Sequence, residues 1–212
     1  MPVRPVVTVT YAQSLDGCLA AGPGRPLALS GPESARYTHQ LRASHAGLLV
    51  GIGTVLADNP QLTVRHVAGP NPQPVILDSQ LRCPPAAALL RHPTHRPWIA
   101  AHAEAPGDRA QVLAAAGAVI LPLPSDEHGR LSLPALLDEL GRRGLASLMV
   151  EGGAQVITAF LTQGLADRLI VTVAPRVVGG LPAVAAPVDL ALFNVRWRPA
   201  GPDMILEADL RP

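Results

Sequence analysis

Residues 146–175 read ASLMVEGGAQVITAFLTQGLADRLIVTVAP. The apolar run through Val150 ends in Glu151-Gly152-Gly153. The next segment, 154–164, repeats apolar residues at helical spacing, with Val156, Ile157, Phe160 and Leu161 on one stripe. The stretch 165–175 is again apolar and β-branched, as a buried strand is. Strand, glycine pair, helix and strand predict two parallel strands joined by a helical crossover. The glycines allow a backbone to approach a ligand, and the helix start offers unpaired N–H groups to a phosphate. A tight turn with an acid placed near a helix start for its dipole is the competing reading of the same residues.

The same alternation extends outward. Strands are expected at 5–12, 46–53, 73–78, 97–102 and 118–123, and helices at 33–44, 108–117 and 132–144. Ser30, with Pro32 and Glu33 behind it, reads as the cap of the first helix, and Ser132 as the cap of the third. The tail 193–210 alternates like a final antiparallel hairpin turning around Pro199 to Pro202. Segments 66–73 and 181–189 are the candidates for irregular structure, and neither is long enough to link two domains. These elements predict an α/β fold in one domain, 1–212: a mostly parallel central sheet flanked by helices, with a C-terminal antiparallel hairpin.

Composition narrows the function. Hydrophobic residues make up 48% of the 212 and charged residues 16%, which suits a packed core rather than disorder. With 17 basic and 16 acidic residues, the charge gives no pull toward nucleic acid or an anionic membrane. Cys18 and Cys83 offer no disulfide framework and fit a reducing compartment. The start MPVRPVVTVTY lacks the apolar core of a secretion signal, and a cytoplasmic protein is expected. His92 and His95 lie in a Pro-flanked loop without a third ligand, so no metal site is expected. Cys-x-x-Cys pairs, a P-loop and a Gly-x-Ser-x-Gly elbow are all absent from the sequence.

Ligands of open α/β sheets gather at the carboxyl ends of the strands. Four clusters are expected there: Ser14-Leu15-Asp16-Gly17, Gly51 to Asp58, Asp78-Ser79, and Glu151-Gly152-Gly153. Gly51-Ile52-Gly53-Thr54-Val55-Leu56 fails as a dinucleotide fingerprint, because Leu56 stands in place of the third glycine. Asp58-Asn59-Pro60 reads as a turn in which the aspartate bonds its own backbone.

Five blocks carry a family likeness: SLDG (14–17), GIGTVLADNPQLTVR (51–65), VILDS (75–79), VEGGAQVITAFL (150–161) and LADRLIVTVAPRVVGG (165–180). In that order and spacing they resemble the reductase domain of the bifunctional riboflavin-biosynthesis deaminase/reductase and its stand-alone relatives. The resemblance implies a dihydrofolate-reductase-like fold, a homodimer, and NADPH as hydride donor to C1′ of a ribosylaminopyrimidine 5′-phosphate. It places Ala12, Thr54, Asp58, Ser79, Gly152 and the run Gly153, Ala154, Gln155, Val156, Ile157, Thr158 and Ala159 around NADPH. Arg42, Leu62, Arg65 and Glu151 match positions that touch the substrate. Glu151 and Asp58 are the candidates for catalysis. Two arginines suit a phosphate ester because their forks are permanently charged, and by the same logic Arg82 suits the 2′-phosphate of NADPH. No deaminase domain precedes the reductase blocks, so a separate deaminase is the expected partner in the pathway.

Three positions depart from the family pattern. Thr10 stands where bacterial members carry a lysine, and Pro26 and Ala28 replace a serine and a tryptophan. Three functions therefore stay in view: the riboflavin-pathway reductase, a reductase of the same fold acting on a dihydropterin or dihydrofolate, and a non-catalytic nucleotide-binding homologue.

Overall fold

The chain runs as β1 (Val6–Ser14), β2 (Cys18–Gly22), β3 (Arg25–Pro26), α1 (Pro32–Ser44), β4 (Gly47–Gly51) and α2 (Ile52–Asp58). It continues as β5 (Gln73–Leu77), β6 (Trp98–His102), α3 (Gly107–Ala115), β7 (Val119–Leu123), α4 (Leu133–Arg142) and β8 (Ser147–Val150). It ends as α5 (Ala154–Thr162), β9 (Arg168–Ala174), β10 (Leu181–Pro182), β11 (Phe193–Ala200) and β12 (Asp203–Asp209). This computed structural model describes residues 4–22 and 25–211.

Nine strands form one sheet in the order β11-β12-β9-β1-β8-β4-β5-β6-β7. The seven from β9 to β7 are parallel, and the β11–β12 hairpin adds two antiparallel strands at the edge. Strand alternation sorts the core onto two faces. On β4, Leu49 joins Val7, Val9 and Val150 under α4 and α5, while Leu48 and Val50 join Ile76 and Met149 under α2 and α3. Phe160 of α5 is wholly buried, so its removal would cost about 3–5 kcal/mol in transfer and cavity terms. Among the described residues, no helix is long and apolar enough to cross a membrane.

The expected βαβ alternation is present, with three departures. The strand expected over 46–53 stops at Gly51, and a seven-residue helix, α2, begins at Ile52. A second small sheet, β10-β2-β3, uses segments with no strand pattern, and β10 falls inside the expected irregular stretch. The first helix is not capped by Ser30. Its N-cap is Gly31, whose N–H donates 2.7 Å to Asp203 Oδ2, a carboxylate that also accepts from Ser34 Oγ. Asp203, at the start of β12, thus ties α1 to the hairpin. Ser132 does cap its helix, accepting from the Ala135 N–H at 3.3 Å.

Candidate active site

Neighbours in the sheet explain why distant residues meet. Strands β1, β8, β4 and β5 are adjacent and parallel, so their carboxyl ends bring Ala12, Glu151, Gly51 and Ser79 to one edge. Two joined cavities open there. The larger, about 790 Å³, is lined by Thr54, Asp58, Ser79, Arg82, Ala154, Gln155, Val156 and Ala159, among others. The smaller, about 230 Å³, is lined by Thr10, Ala12, Ser30, Thr38, Glu151, Gly152 and Ile157, among others. Thr54, Asp58 and Gly153 line both.

The glycine pair builds the wall between them. Gly152 takes φ +47, and a Cβ there would sit 2.8 Å from Ile157 Cγ1, so a side chain would be both strained and crowded. Thr54 Oγ1 donates to Gly152 O at 2.9 Å and locks the turn onto α2. Behind it α5 starts without a side-chain cap, and its first intrahelical bond is Ile157 N–H to Gly153 O. The N–H groups of Ala154, Gln155 and Val156 therefore have no helical partner and stand at the larger cavity, an anion site by geometry and dipole.

In the smaller cavity, Glu151 is held by Arg42. Arg42 Nε and Nη2 each donate at 2.6 Å to one carboxylate oxygen, and Nη1 donates to Thr63 O at 3.1 Å. The two side chains are 14% and 16% exposed. Burial disfavours the Arg42 cation, but the Glu151 charge and its hydrogen bonds outweigh that and hold the guanidinium above its ordinary value. Asp58 closes α2 at the junction of the cavities, and burial raises its carboxyl above the usual range. The turn expected around it is instead a helix end: Asn59, at φ +43, is the left-handed cap and its Oδ1 accepts from the Ala88 N–H.

The expected site residues divide unequally. Eight of the cofactor candidates line the larger cavity and Ala12, Gly152 and Ile157 the smaller. Thr158 lines neither: it is a buried residue of α5, donating to Ala154 O and accepting from the Ala185 N–H. Leu62 also lines neither; at φ +57 its side chain turns into the core and is 2% exposed. Arg42, expected at the substrate, is ion-paired with Glu151. Arg65 is exposed, with Nη1 donating 3.2 Å to Thr63 Oγ1. Ser30 and Thr38 line the smaller cavity, although the sequence marks neither as a site residue. Hydroxyls on or before a helix have no pattern that separates lining from surface. Among the described residues, no cluster of His, Cys, Asp or Glu could hold a metal.

A parallel α/β sheet whose strand ends carry a phosphate-directed helix terminus and a two-part cleft defines a class of small-ligand proteins that bind an extended anionic molecule beside a smaller one. Within it, the chain belongs to the RibD C-terminal domain family, whose pattern matches residues 5–206. The 2,5-diamino-6-ribosylamino-4(3H)-pyrimidinone 5′-phosphate reductase of Debaryomyces hansenii is 51% identical over 79 residues, 35% of this chain and 32% of that one. The aligned stretch is thus about a third of that relative's length. The solved riboflavin biosynthesis reductase Rib7 of Saccharomyces cerevisiae superposes with a TM-score of 0.82 at 28% identity, over 98% of this chain and 90% of that one. A dihydrofolate reductase of Enterococcus faecalis superposes at a TM-score of 0.56 and 12% identity, over 97% of this chain and 96% of that one, a likeness of fold alone.

Proposed function

We propose that this protein is an NADPH-dependent reductase of riboflavin biosynthesis. Its substrate is 2,5-diamino-6-ribosylamino-4(3H)-pyrimidinone 5′-phosphate, the compound in its relatives' names. The observation that carries the reading is Asp58, which lines both cavities where a cofactor and a substrate would meet.

The residues suit a nicotinamide dinucleotide. The larger cavity is of the size such ligands need, the unpartnered N–H groups of Ala154 to Val156 suit its pyrophosphate, and Arg82 suits a 2′-phosphate. When bound, the reduced nicotinamide supplies a hydride for C1′ of the ribose. Opening the ribose at C1′–O4′ would leave O4′ in need of a proton. Asp58, with its carboxyl raised by burial, is the group that can hold that proton at the junction.

The smaller cavity suits the pyrimidine. Both Glu151 oxygens are fixed by Arg42, and their remaining lone pairs suit amino and ring N–H donors. Thr10, Ser30 and Thr38 add hydroxyls, and the residue at position 10 places no ammonium there. A carboxylate with hydroxyls matches a ring rich in amino donors better than its deaminated form. Arg65, exposed beside Thr63, suits the 5′-phosphate. The same reading makes the protein a cytoplasmic homodimer whose pathway also includes a deaminase step.

The test is NADPH oxidation by purified protein with the diamino-pyrimidinone phosphate, its deaminated counterpart and a dihydropterin. The diamino compound should be reduced with the highest kcat/KM. Turnover of the dihydropterin alone would end the proposal.

A further inference from the structure

The loop 62–66 is held from one helix. His39 and Arg42, three residues apart on α1, share a face, and each bonds the loop backbone. Arg42 Nη1 donates to Thr63 O at 3.1 Å, and His39 Nδ1 accepts from the Arg65 N–H at 3.0 Å. On either side, Leu62 is buried in the core and the Val64 N–H donates to Asn71 Oδ1 at 2.8 Å. The backbone is therefore bonded at three consecutive residues, Thr63 to Arg65, next to the buried Leu62, while the Arg65 side chain is exposed.

His39 is only 4% exposed and its ring meets His66 edge-on, with centroids 4.5 Å apart. A ring nitrogen that accepts from a backbone N–H belongs to a neutral imidazole whose proton is on Nε2. The surroundings keep it so: burial, then Arg42, His66 and Arg65, push the ring down to about 4. No carboxylate is among the groups acting on it, so nothing there favours the imidazolium. Asp58 and Glu151 have the chemistry of the reaction; His39 touches neither cavity.

We propose that His39 is a positioning residue for Arg65, accepting its backbone N–H and so setting where its guanidinium meets the substrate phosphate. The proposal rests on the reading of Arg65 as a phosphate-binding residue. A long side chain reaches a fixed point reproducibly only from a fixed root, and displacements of about 1 Å in a substrate-binding group cost large factors in turnover or affinity.

The test compares the phosphorylated substrate with its dephosphorylated riboside in four variants. Arg65→Ala should raise KM about tenfold or more for the phosphate and leave the riboside unchanged. His39→Phe keeps the ring contact with His66 but deletes the acceptor. It should raise KM for the phosphate about fivefold, with kcat and KM for NADPH changed less than about twofold. His39→Asn, whose amide oxygen stands near the lost Nδ1, should return KM to within about twofold of wild type. His39→Phe combined with Arg65→Ala should be no worse than Arg65→Ala alone. Where phenylalanine does not fold, His39→Leu serves in its place. Equal losses on phosphate and riboside, failure of asparagine to rescue, or multiplying effects in the double variant would each overturn the proposal. If Arg65→Ala alone spares the phosphate, the reading of Arg65 fails first, and the proposal with it.

Discussion

Arg42 and Glu151 lie 109 residues apart in the chain and are joined by two hydrogen bonds of 2.6 Å, in which Nε and Nη2, on one edge of the guanidinium, each donate to a different carboxylate oxygen. This pair turns the acid at the end of β8 into an oriented acceptor and anchors α1 to the sheet edge. A largely buried pair is sensitive to losing one member, because the other charge is left uncompensated. Glu151→Gln should therefore lower stability by about 3 kcal/mol and abolish turnover. Replacing both by methionine should recover most of the stability and none of the activity. Chemical denaturation alongside NADPH oxidation checks this; a double variant as unstable as the single would refute the pairing argument.

Arg82 stands at the larger cavity with its own backbone fixed, since its N–H donates 2.9 Å to the buried Asp78 carboxylate. Its side chain should recognise the extra phosphate that separates NADPH from NADH. Arg82→Ala should raise KM for NADPH about tenfold, the worth of one charge-assisted bond, and leave KM for NADH unchanged. Parallel losses for both cofactors would move Arg82 out of that role.

Burial of His39 predicts an acid-sensitive fold. An unfolded chain binds a proton at this ring near its ordinary value of 6.5, whereas the folded one does so only near 4. A group whose pKa is depressed on folding leaves stability intact above the unfolded value and lowers it as pH falls through the window between the two. Stability should fall between pH 6.5 and 4, and His39→Phe should show a shallower decline. His45 and His92 are also held low by burial and act in the same direction, so the difference between the two proteins isolates His39. Identical pH slopes in thermal melts would rule this out.

Much of the fold was legible because hydrophobic periodicity is local. The βαβ run from Ser147 to Ala174, the Ser132 cap and the final hairpin all follow from neighbours in the sequence. What escaped is non-local. Asp203 caps α1 from 172 residues away, which no reading of Ser30 can anticipate. Helix α2 hides because Gly51-Ile52-Gly53 continues an apolar strand, and the turn to helix depends on Gly152 and Thr54 meeting across the sheet edge. Leu62 sits in a polar stretch yet points inward, since a left-handed residue reverses the side chain's direction.

For the homodimer proposed above, the exposed edge strand β11 is the surface on which a second copy would be tested. Val195 and Trp197 are 45% and 56% exposed, and Phe193 lies on the same strand. An exposed apolar edge strand is a template for pairing. Trp197→Asp with Val195→Asp should convert a dimer to a monomer by sedimentation velocity while leaving the fold intact. A wild-type monomer, or a dimer indifferent to both changes, would place any interface elsewhere.

On the proposed function, one cleft joins a hydride donor to C1′ of a ribosylaminopyrimidine phosphate across Asp58. The most direct test uses NADPH carrying deuterium at the transferable position of the nicotinamide, with the product read by mass spectrometry and NMR. A ribityl product bearing one deuterium at C1′ is the predicted result, with Asp58→Asn slowing its formation. A product free of deuterium, or label on a ring carbon of the base, would contradict the account.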